Sequence, residues 1–222
     1  MRRSTTSPTV ATKTRAQNAG AEFKSLKALN KAISASHPWV KGSGRAVLGE
    51  GPIAARLAFV GEQPGDQEDV QGHPFVGQAG KLFDRALVEA GLDRRSIYVT
   101  NAVKHFKFEH RGKRRIHQRP TAGEVKHYRW WLDQELKLVN PRLVVALGAT
   151  AVLALVGERL PIAKFRGTAD FKGRAGYITV HPSYLLRFPD RSGRERQYRE
   201  FVRDLRSIHK LAGRARRQRT AR

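Results

Sequence analysis

The chain contains no cysteine. A disulfide, a thiol nucleophile and a cysteine-ligated zinc or iron–sulfur centre are therefore excluded. No apolar run approaches the ~20 residues of a membrane-spanning helix. The first residues are charged and lack the apolar segment of a secretory signal. These absences predict a cytoplasmic protein with no membrane partner.

Acidic residues are also scarce. The chain has 43 lysines and arginines against 19 aspartates and glutamates, which gives a formal net charge of +24. Such an excess indicates a polyanionic partner, because contacts to phosphates and release of their counterions dominate that kind of binding. A ribosomal or nucleoid-type protein would have the same composition, so charge alone does not separate a simple binder from an enzyme.

Composition divides the chain into one central domain and two basic ends. Residues 1–20 are rich in Ser, Thr, Ala and Arg and predict a disordered basic arm, and residues 213–222 predict a basic tail. Residues 21–212 have a length that suits a single α/β domain. They remain strongly basic without the two ends, so the charge belongs to the folded domain as well.

Apolar runs alternate with helical periodicity along this domain. The runs predict strands at 56–61, 96–103, 142–148 and 176–182. The periodic segments predict helices at 21–36, 80–92, 121–140, 149–157 and 194–212, and the polar segment 104–120 predicts a loop. This alternation predicts an α/β fold, a three-layer αβα sandwich around a central, mostly parallel, four-stranded sheet.

Each predicted strand ends in a polar or glycine-rich loop. The loops read GEQPG (61–65), NAVKHFKF (101–108), GAT (148–150) and HPSYLLR (181–187). Ligands of open α/β sheets bind at the carboxyl ends of the strands, so we expect these loops to form one site. Taken alone, GEQPG is equally consistent with an ordinary acidic surface loop.

Two kinds of site are not supported by these loops. The Gly80-Lys81 pair lacks the preceding glycine and the following Ser or Thr of a phosphate-binding loop. Only the first loop supplies carboxylates, whereas magnesium sites normally draw them from different loops. The sequence therefore predicts neither a metal nor any other cofactor.

The remaining loops carry side chains suited to a base and a phosphate. His181 is either a packing residue or an active-site imidazole, and the nearby Ser183 and Arg187, which suit phosphate, favour the second interpretation. Asn101 has the amide that pairs twice with a base edge. Phe75 offers a stacking face for a base taken out of its helix.

The run KRRIHQRP (113–120) surrounds His117 with positive charge. Neighbouring cations disfavour the protonated imidazole. His117 is therefore either one more polar residue in a phosphate-binding patch or a neutral nucleophile. Arg115 has two interpretations as well, since it can bind phosphate or clamp the loop.

GEQPG, the asparagine of VTNAVK and HPSYLLR together resemble the uracil-DNA glycosylase superfamily, in a form closest to its family 4 branch. The insertion KHFKF…GKRRIH is typical of the UdgX group. The resemblance covers roughly residues 55–210. It implies an αβα domain that flips uracil out of DNA and cleaves its glycosidic bond. In the UdgX group the loop histidine then traps the sugar covalently.

The resemblance also implies catalytic roles and partners. His117 would attack the sugar, Glu62 would orient His117 and stabilise the positive imidazole, and His181 would donate to a uracil oxygen. Gln63 stands where the best-known members have the aspartate that positions water, and it is no base. We expect uracil-containing DNA, preferably single-stranded, as the partner of a monomer.

The substrate contacts follow from the same motifs. Asn101 would pair with the uracil edge and Phe75 would stack on its ring, with Gly61 and Pro64 in the turn beside them. Gly65 replaces the tyrosine that excludes the methyl group of thymine, so that exclusion must come from elsewhere or be imperfect. The expected DNA contacts are Lys113, Arg114, Arg115, Ser183 and Arg187.

One departure concerns the iron–sulfur cluster of family 4 and the UdgX group. Its cysteines lie near the N-terminus and before a WxL-type helix, and residues 21–34 and 126–132 contain none here. The cluster must therefore be absent. The side chains expected to pack in its place are Phe23, Leu26, Leu29, Tyr128 and Trp131.

Two alternatives to covalent trapping remain. One is a turnover glycosylase that releases free abasic DNA, and the other is a DNA-binding protein without enzymatic activity. A simple binder has no need for Glu62, Asn101 and His181 to converge. The two enzymatic interpretations differ in whether a protein–DNA conjugate forms.

Overall fold

The central sheet is visible in the computed structural model, which describes residues 22–42 and 44–214. The strands are β1 (Leu57–Gly61), β2 (Tyr98–Asn101), β3 (Phe108–Arg111), β4 (Arg114–His117), β5 (Leu143–Leu147), β6 (Gly167–Asp170) and β7 (Ala175–Thr179). The order across the main sheet is β2-β1-β5-β7-β6, and only β6 is antiparallel to its neighbour. The predicted α/β fold is confirmed, but the sheet has 5 strands instead of four.

Helices cover both faces of this sheet. They are α1 (Leu26–Ser34), α2 (Asp66–Gln71), α3 (Gln78–Glu89), α4 (Ala122–Val139), α5 (Ala149–Val156), α6 (Ile162–Phe165), α7 (Pro182–Leu186) and α8 (Arg191–Arg214). Alternate residues of β1 enter different cores, since Ala58 and Val60 pack with α4 and α5, whereas Leu57 and Phe59 pack with α3 and α8. The sheet is thus the middle of three layers.

The strand missing from the prediction lies at the edge of the sheet. β6 reads GTAD, has no apolar run, and its side chains alternate between half-buried and exposed. It pairs with β7 in the register Gly167↔Ile178 to Asp170↔Ala175. A short edge strand with one free side carries little of the hydrophobic signal that identifies a buried strand.

The prediction of a loop over 104–120 is wrong, because this segment contains the hairpin of β3 and β4. Phe108 pairs with His117, and the chain reverses at Gly112-Lys113. Gly112 has a φ of 60°, which glycine adopts without strain and which suits the first position of a two-residue hairpin turn. Apart from Phe108, the strand residues are polar or exposed, so no apolar alternation revealed them.

The start of α4 matches its sequence signature. Thr121 Oγ1 accepts from the Glu124 backbone N–H at 3.2 Å, and Glu124 Oε2 accepts from the Thr121 N–H at 2.6 Å. This is the predicted capping box. Lys107 Nζ lies 2.9 Å from the same Glu124 carboxylate. The ion pair therefore also links the start of α4 to Lys107, the residue that precedes β3.

A fully buried ion pair joins the end of β2 to α4. Lys104 Nζ lies 2.6 Å from Glu135 Oε2, and both side chains are 0% exposed. Lys104 also donates to Thr100 Oγ1 at 2.6 Å and to the Asn101 carbonyl at 3.0 Å. The Tyr98 hydroxyl donates to Glu135 Oε1 at 2.8 Å. All three donors of the ammonium group are thereby satisfied.

The ends of the domain differ slightly from the prediction. Helix α8 continues to Arg214 and so includes the first residues of the segment 213–222 that was predicted as a tail. The rest of that segment and the predicted arm 1–20 lie outside the described residues. Among the described helices, none is both long and apolar enough to span a membrane.

Candidate active site

A cavity of about 1110 Å³ opens at the carboxyl ends of the parallel strands. Glu62 follows β1, Asn101 ends β2, Gly148 follows β5 and His181 follows β7, and all of them line it. The predicted convergence of the strand-end loops is therefore present in the structure.

His181 is held as a neutral hydrogen-bond donor. It caps α7, and its Nδ1 accepts from the Ser183 backbone N–H at 3.2 Å and lies 2.9 Å from Ser183 Oγ. Because a backbone N–H can only donate, the ring proton lies on Nε2. Burial lowers the pKa of His181 to about 4, although the Glu62 carboxylate opposes the shift. At neutral pH the imidazole is uncharged and has one N–H to offer.

Asn101 and Phe75 approach each other across a glycine. Asn101 is 3% exposed and pairs in register with Gly61 of β1. A Cβ added at Gly61 would lie 2.4 Å from Asn101 Oδ1 and 2.7 Å from Phe75 Cζ, so any side chain there would displace the amide and the ring. Phe75 has a φ of 59°, an uncommon backbone conformation for a bulky residue and one that concentrates at functional sites. Its ring centroid lies 6.1 Å from that of His181.

Glu62 brings the hairpin histidine to the cavity. Its Oε1 lies 3.4 Å from His117 Nε2, and its Oε2 accepts from the Thr150 hydroxyl at 2.5 Å. Burial raises the pKa of Glu62, but the hydrogen bonds from His117 and Thr150 outweigh it and hold the pKa at about 2. The carboxylate is therefore ionised at neutral pH. The His117 side chain is 45% exposed, so a substrate can reach it.

Gln63 acts on the hairpin. Its amide nitrogen donates to the carbonyl oxygens of Lys107 at 3.3 Å and Gln118 at 3.0 Å, and its amide oxygen accepts from the Lys107 N–H at 3.2 Å. These two residues flank the hairpin, one on each side. Both amide hydrogens are thus used to close the base of the hairpin beside β1.

Arg115 clamps the other end of the hairpin. Its Nε lies 2.6 Å from Asp66 Oδ1 and its Nη1 2.5 Å from Asp69 Oδ2. The guanidinium also lies over the rings of Phe106 and Phe108, at 5.6 and 5.0 Å from their centroids. Of the two roles predicted for Arg115, these contacts correspond to the clamp, because they fix the hairpin on α2.

The other predicted DNA contacts lie in two places. Ser183 and Arg187 line the cavity, whereas Lys113 and Arg114 are exposed at the tip of the hairpin and do not line it. Pro64 is buried within the turn that follows β1. The predicted phosphate contacts are thus divided between the cavity and the hairpin tip.

Sequence reasoning missed several residues around the cavity. Thr150, which holds Glu62, is the only hydroxyl of the GAT loop, and that position could have identified it. Glu68 accepts from the backbone N–H groups of Gly65 at 3.0 Å and Gly77 at 2.8 Å, so it shapes the turn. Arg166 lines the cavity but belongs to no motif, and no signal in the sequence marks it.

In the region where relatives are expected to hold an iron–sulfur cluster, this protein has hydrogen-bonded and packed aromatic side chains. The Trp39 backbone N–H donates to the Tyr128 hydroxyl oxygen at 2.9 Å, and His105 Nδ1 lies 2.8 Å from the same oxygen. Because Trp39 can only donate here, the Tyr128 proton is free for His105. The Phe23 ring packs against Trp131 at 6.2 Å between centroids.

These side chains do not fit a cluster. The chain has no cysteine, and the described residues contain no group of three or more His, Cys, Asp or Glu that could hold a metal. Leu29, Tyr128 and Trp131 belong to the core on this face of the sheet, and Phe23 and Leu26 pack against it. The side chains of this region pack the core and offer no thiolate to hold an iron–sulfur cluster.

His105 should make the fold sensitive to acid. Burial lowers its pKa from 6.5 to about 4, so the unfolded chain binds more protons and stability falls as the pH drops from about 6.5, levelling off near 4. His105→Asn keeps an acceptor for Tyr128 but does not titrate. It should reduce the loss of unfolding free energy between about pH 7 and pH 5 by about 2 kcal/mol, measured by urea denaturation. The exposed His110→Asn is the control, and equal pH dependence in both variants would contradict the assignment.

The fold and cavity define a class of site. An uncharged imidazole donor, a buried amide and an aromatic ring surround one opening at the ligand-binding edge of an α/β sheet. Such groups read the edge and face of a flat polar ring, as in enzymes that extrude a nucleobase.

Comparison with known proteins agrees with this class. Residues 48–206 match the uracil DNA glycosylase superfamily, and the chain belongs to it. The type-4 uracil-DNA glycosylase of Thermotoga maritima is 42% identical over 144 residues, covering 64% of this chain and 71% of that protein. That of Pyrobaculum aerophilum is 36% identical over 170 residues, with coverages of 72% and 80%. That of Sulfurisphaera tokodaii is 35% identical over 145 residues, with 63% of each chain covered.

Proposed function

We propose that this protein is a uracil-DNA glycosylase that excises uracil from DNA and then retains the abasic sugar as a covalent His117–DNA conjugate. The relatives named type-4 uracil-DNA glycosylases support the first part. The contact between Glu62 and His117 at the cavity is the observation that carries the second.

Uracil recognition would use the groups deepest in the cavity. The Asn101 amide would pair with the edge of uracil, whereas cytosine presents the reversed donor pattern. Phe75 would stack on the ring. As the bond from C1′ to uracil N1 breaks, its electron pair leaves on uracil, and the Nε2–H of His181 would stabilise the charge that builds on a uracil oxygen. A donor placed in this way contributes about 3–4 kcal/mol in comparable sites.

His117 would then capture the sugar. The ring nitrogen that carries no proton uses its lone pair to form a bond to the positive C1′, and the imidazole becomes cationic. The ionised Glu62 compensates that charge and can accept the remaining ring proton, as a carboxylate supports histidine in catalytic triads. The product is a neutral imidazole bonded to the sugar, with uracil released.

The fixation of the hairpin supports capture by His117 rather than by water. Gln63 closes the base of the hairpin, and Arg115 fixes it to α2. Gln63 has no carboxylate with which to activate water. A nucleophile already held beside the reacting carbon has the advantage of proximity over a diffusing one.

The test is denaturing gel electrophoresis after incubation of the purified protein with uracil-containing single-stranded DNA. The expected result is a heat-stable band of retarded DNA, with His117 found modified in the digested conjugate. The same strand with thymine should give no band, and a duplex measures the preference for single strands. Free abasic DNA without a conjugate would leave a turnover glycosylase. If uracil is never released, a DNA-binding protein without this activity remains.

A further inference from the structure

Helix α8 carries a straight row of cations. Their spacing alternates between three and four residues, which places side chains on one face of an α-helix. All of them are exposed. The row, called here the α8 stripe, consists of Arg196, Arg199, Arg203, Arg206 and Lys210.

The acids of α8 do not neutralise the stripe. Glu195 pairs with Arg191 at 3.1 Å. Glu200 and Asp204 pair with Arg166, at 3.1 and 2.7 Å. Within the described part of the chain, the side chains of Arg199, Arg203 and Lys210 have no ion pair. Three of the five members of the stripe therefore present positive charge without an ion-pair partner to solvent.

The position of the stripe relates it to the cavity. Gln197 and Glu200 line the cavity, and they follow Arg196 and Arg199 by one residue, on the adjacent face of the helix. The stripe thus begins beside the cavity wall and leads away from it. From Arg196 to Lys210 the helix rises about 21 Å, the length of roughly six nucleotides of one strand in a duplex.

We propose that the α8 stripe binds phosphates of the DNA that flanks the uracil, outside the cavity. Backbone phosphates repeat at regular intervals and need no base-specific partner, which suits a regular row of arginine and lysine. The inference rests on DNA being the substrate, as in the proposed function, but not on covalent trapping.

The surface chemistry favours a nucleic acid over an acidic protein. Protein interfaces depend on apolar and aromatic anchors at their centre. In the described part of the chain, none of the exposed large hydrophobic residues lies on α8. The stripe can bind a partner only through its positive charge, and a polyanion such as a nucleic acid is the kind of partner that this favours.

The experiment compares two triple variants that lose the same charge. One is Arg199→Gln/Arg203→Gln/Lys210→Gln on the stripe. The other is Lys24→Gln/Lys27→Gln/Lys31→Gln, three exposed lysines at or before α1, which packs on α4 across the sheet from α8. Binding of a uracil-free single strand of about 25 nucleotides is measured over a range of salt.

The stripe variant should bind this DNA at least about tenfold more weakly at low salt, with the slope of log affinity against log salt reduced by about 2. The control should behave as the wild type. An equal loss in both variants, or no loss in the stripe variant, would overturn the proposal. Binding to uracil-free DNA does not depend on catalysis, so the result stands apart from the proposed function.

A second readout excludes damage to the cavity. Uracil release from an oligonucleotide of about five residues with the uracil at its centre, which leaves two nucleotides on either side to extend along the ~21 Å stripe, should be unchanged in the stripe variant. Release from the long strand below saturation should fall with its affinity. A slower reaction on the short oligonucleotide would mean that the substitutions act on the cavity, and the proposal would be wrong.

Discussion

A His117→Ala variant is expected to form no covalent DNA conjugate while it still releases uracil. The substitution removes the proposed nucleophile, but the groups proposed to bind the leaving base, His181, Asn101 and Phe75, lie on other segments and keep their positions at the cavity. Water then captures C1′, and free abasic DNA accumulates. Uracil release is measured by alkaline cleavage of the abasic strand, and the conjugate by its band on a denaturing gel.

The matched control is His110→Ala on the same hairpin. His110 is exposed and pairs across the strands with Arg115, so its loss changes the hairpin without touching the cavity. This variant should form the conjugate as the wild type does. A conjugate that survives in His117→Ala would assign the bond to another side chain.

Glu135→Gln is expected to destabilise the fold by about 3–5 kcal/mol, because it leaves the charge of Lys104 buried without a counterion. Both side chains are fully buried, and the ammonium also holds the carbonyl of Asn101. The free energy of unfolding is measured by urea denaturation at neutral pH.

The double variant Lys104→Met/Glu135→Leu separates charge from packing. Replacing a buried pair by apolar residues of similar volume is often neutral or stabilising. It should therefore recover most of the stability that Glu135→Gln loses. If the double variant is less stable than the single one, the pair contributes by its hydrogen bonds and not merely by mutual compensation.

The parts of the fold that the sequence revealed are those with a local signal. The strand around Phe59 is buried on both faces, and its sequence is an apolar run. The capping box at Thr121 predicts where α4 begins. The site was predictable for the same reason. Strand-end loops share one edge of a parallel sheet, so Glu62, Asn101 and His181 converge once the strands are recognised.

What escaped prediction depends on contacts between distant residues. Nothing near Gln63 indicates that its amide reaches across to Lys107 and Gln118. Nor does the helical pattern around Glu135 reveal an ion pair with Lys104. Hydrogen-bond and ion-pair partners of this kind can be identified only from the folded structure, because their separation in the sequence follows neither the helical nor the strand period.

The hairpin of β3 and β4 is a small sheet of its own, separate from the main one. The residues on either side of it are hydrogen-bonded to the Gln63 side chain, and its Arg115 forms ion pairs with Asp66 and Asp69. The position of the hairpin therefore depends on side chains that lie elsewhere in the chain, in the turn after β1 and on α2. Grafting the hairpin alone onto another protein of this fold would move His117 without the side chains that hold the hairpin, so Gln63, Asp66 and Asp69 would have to be transferred with it.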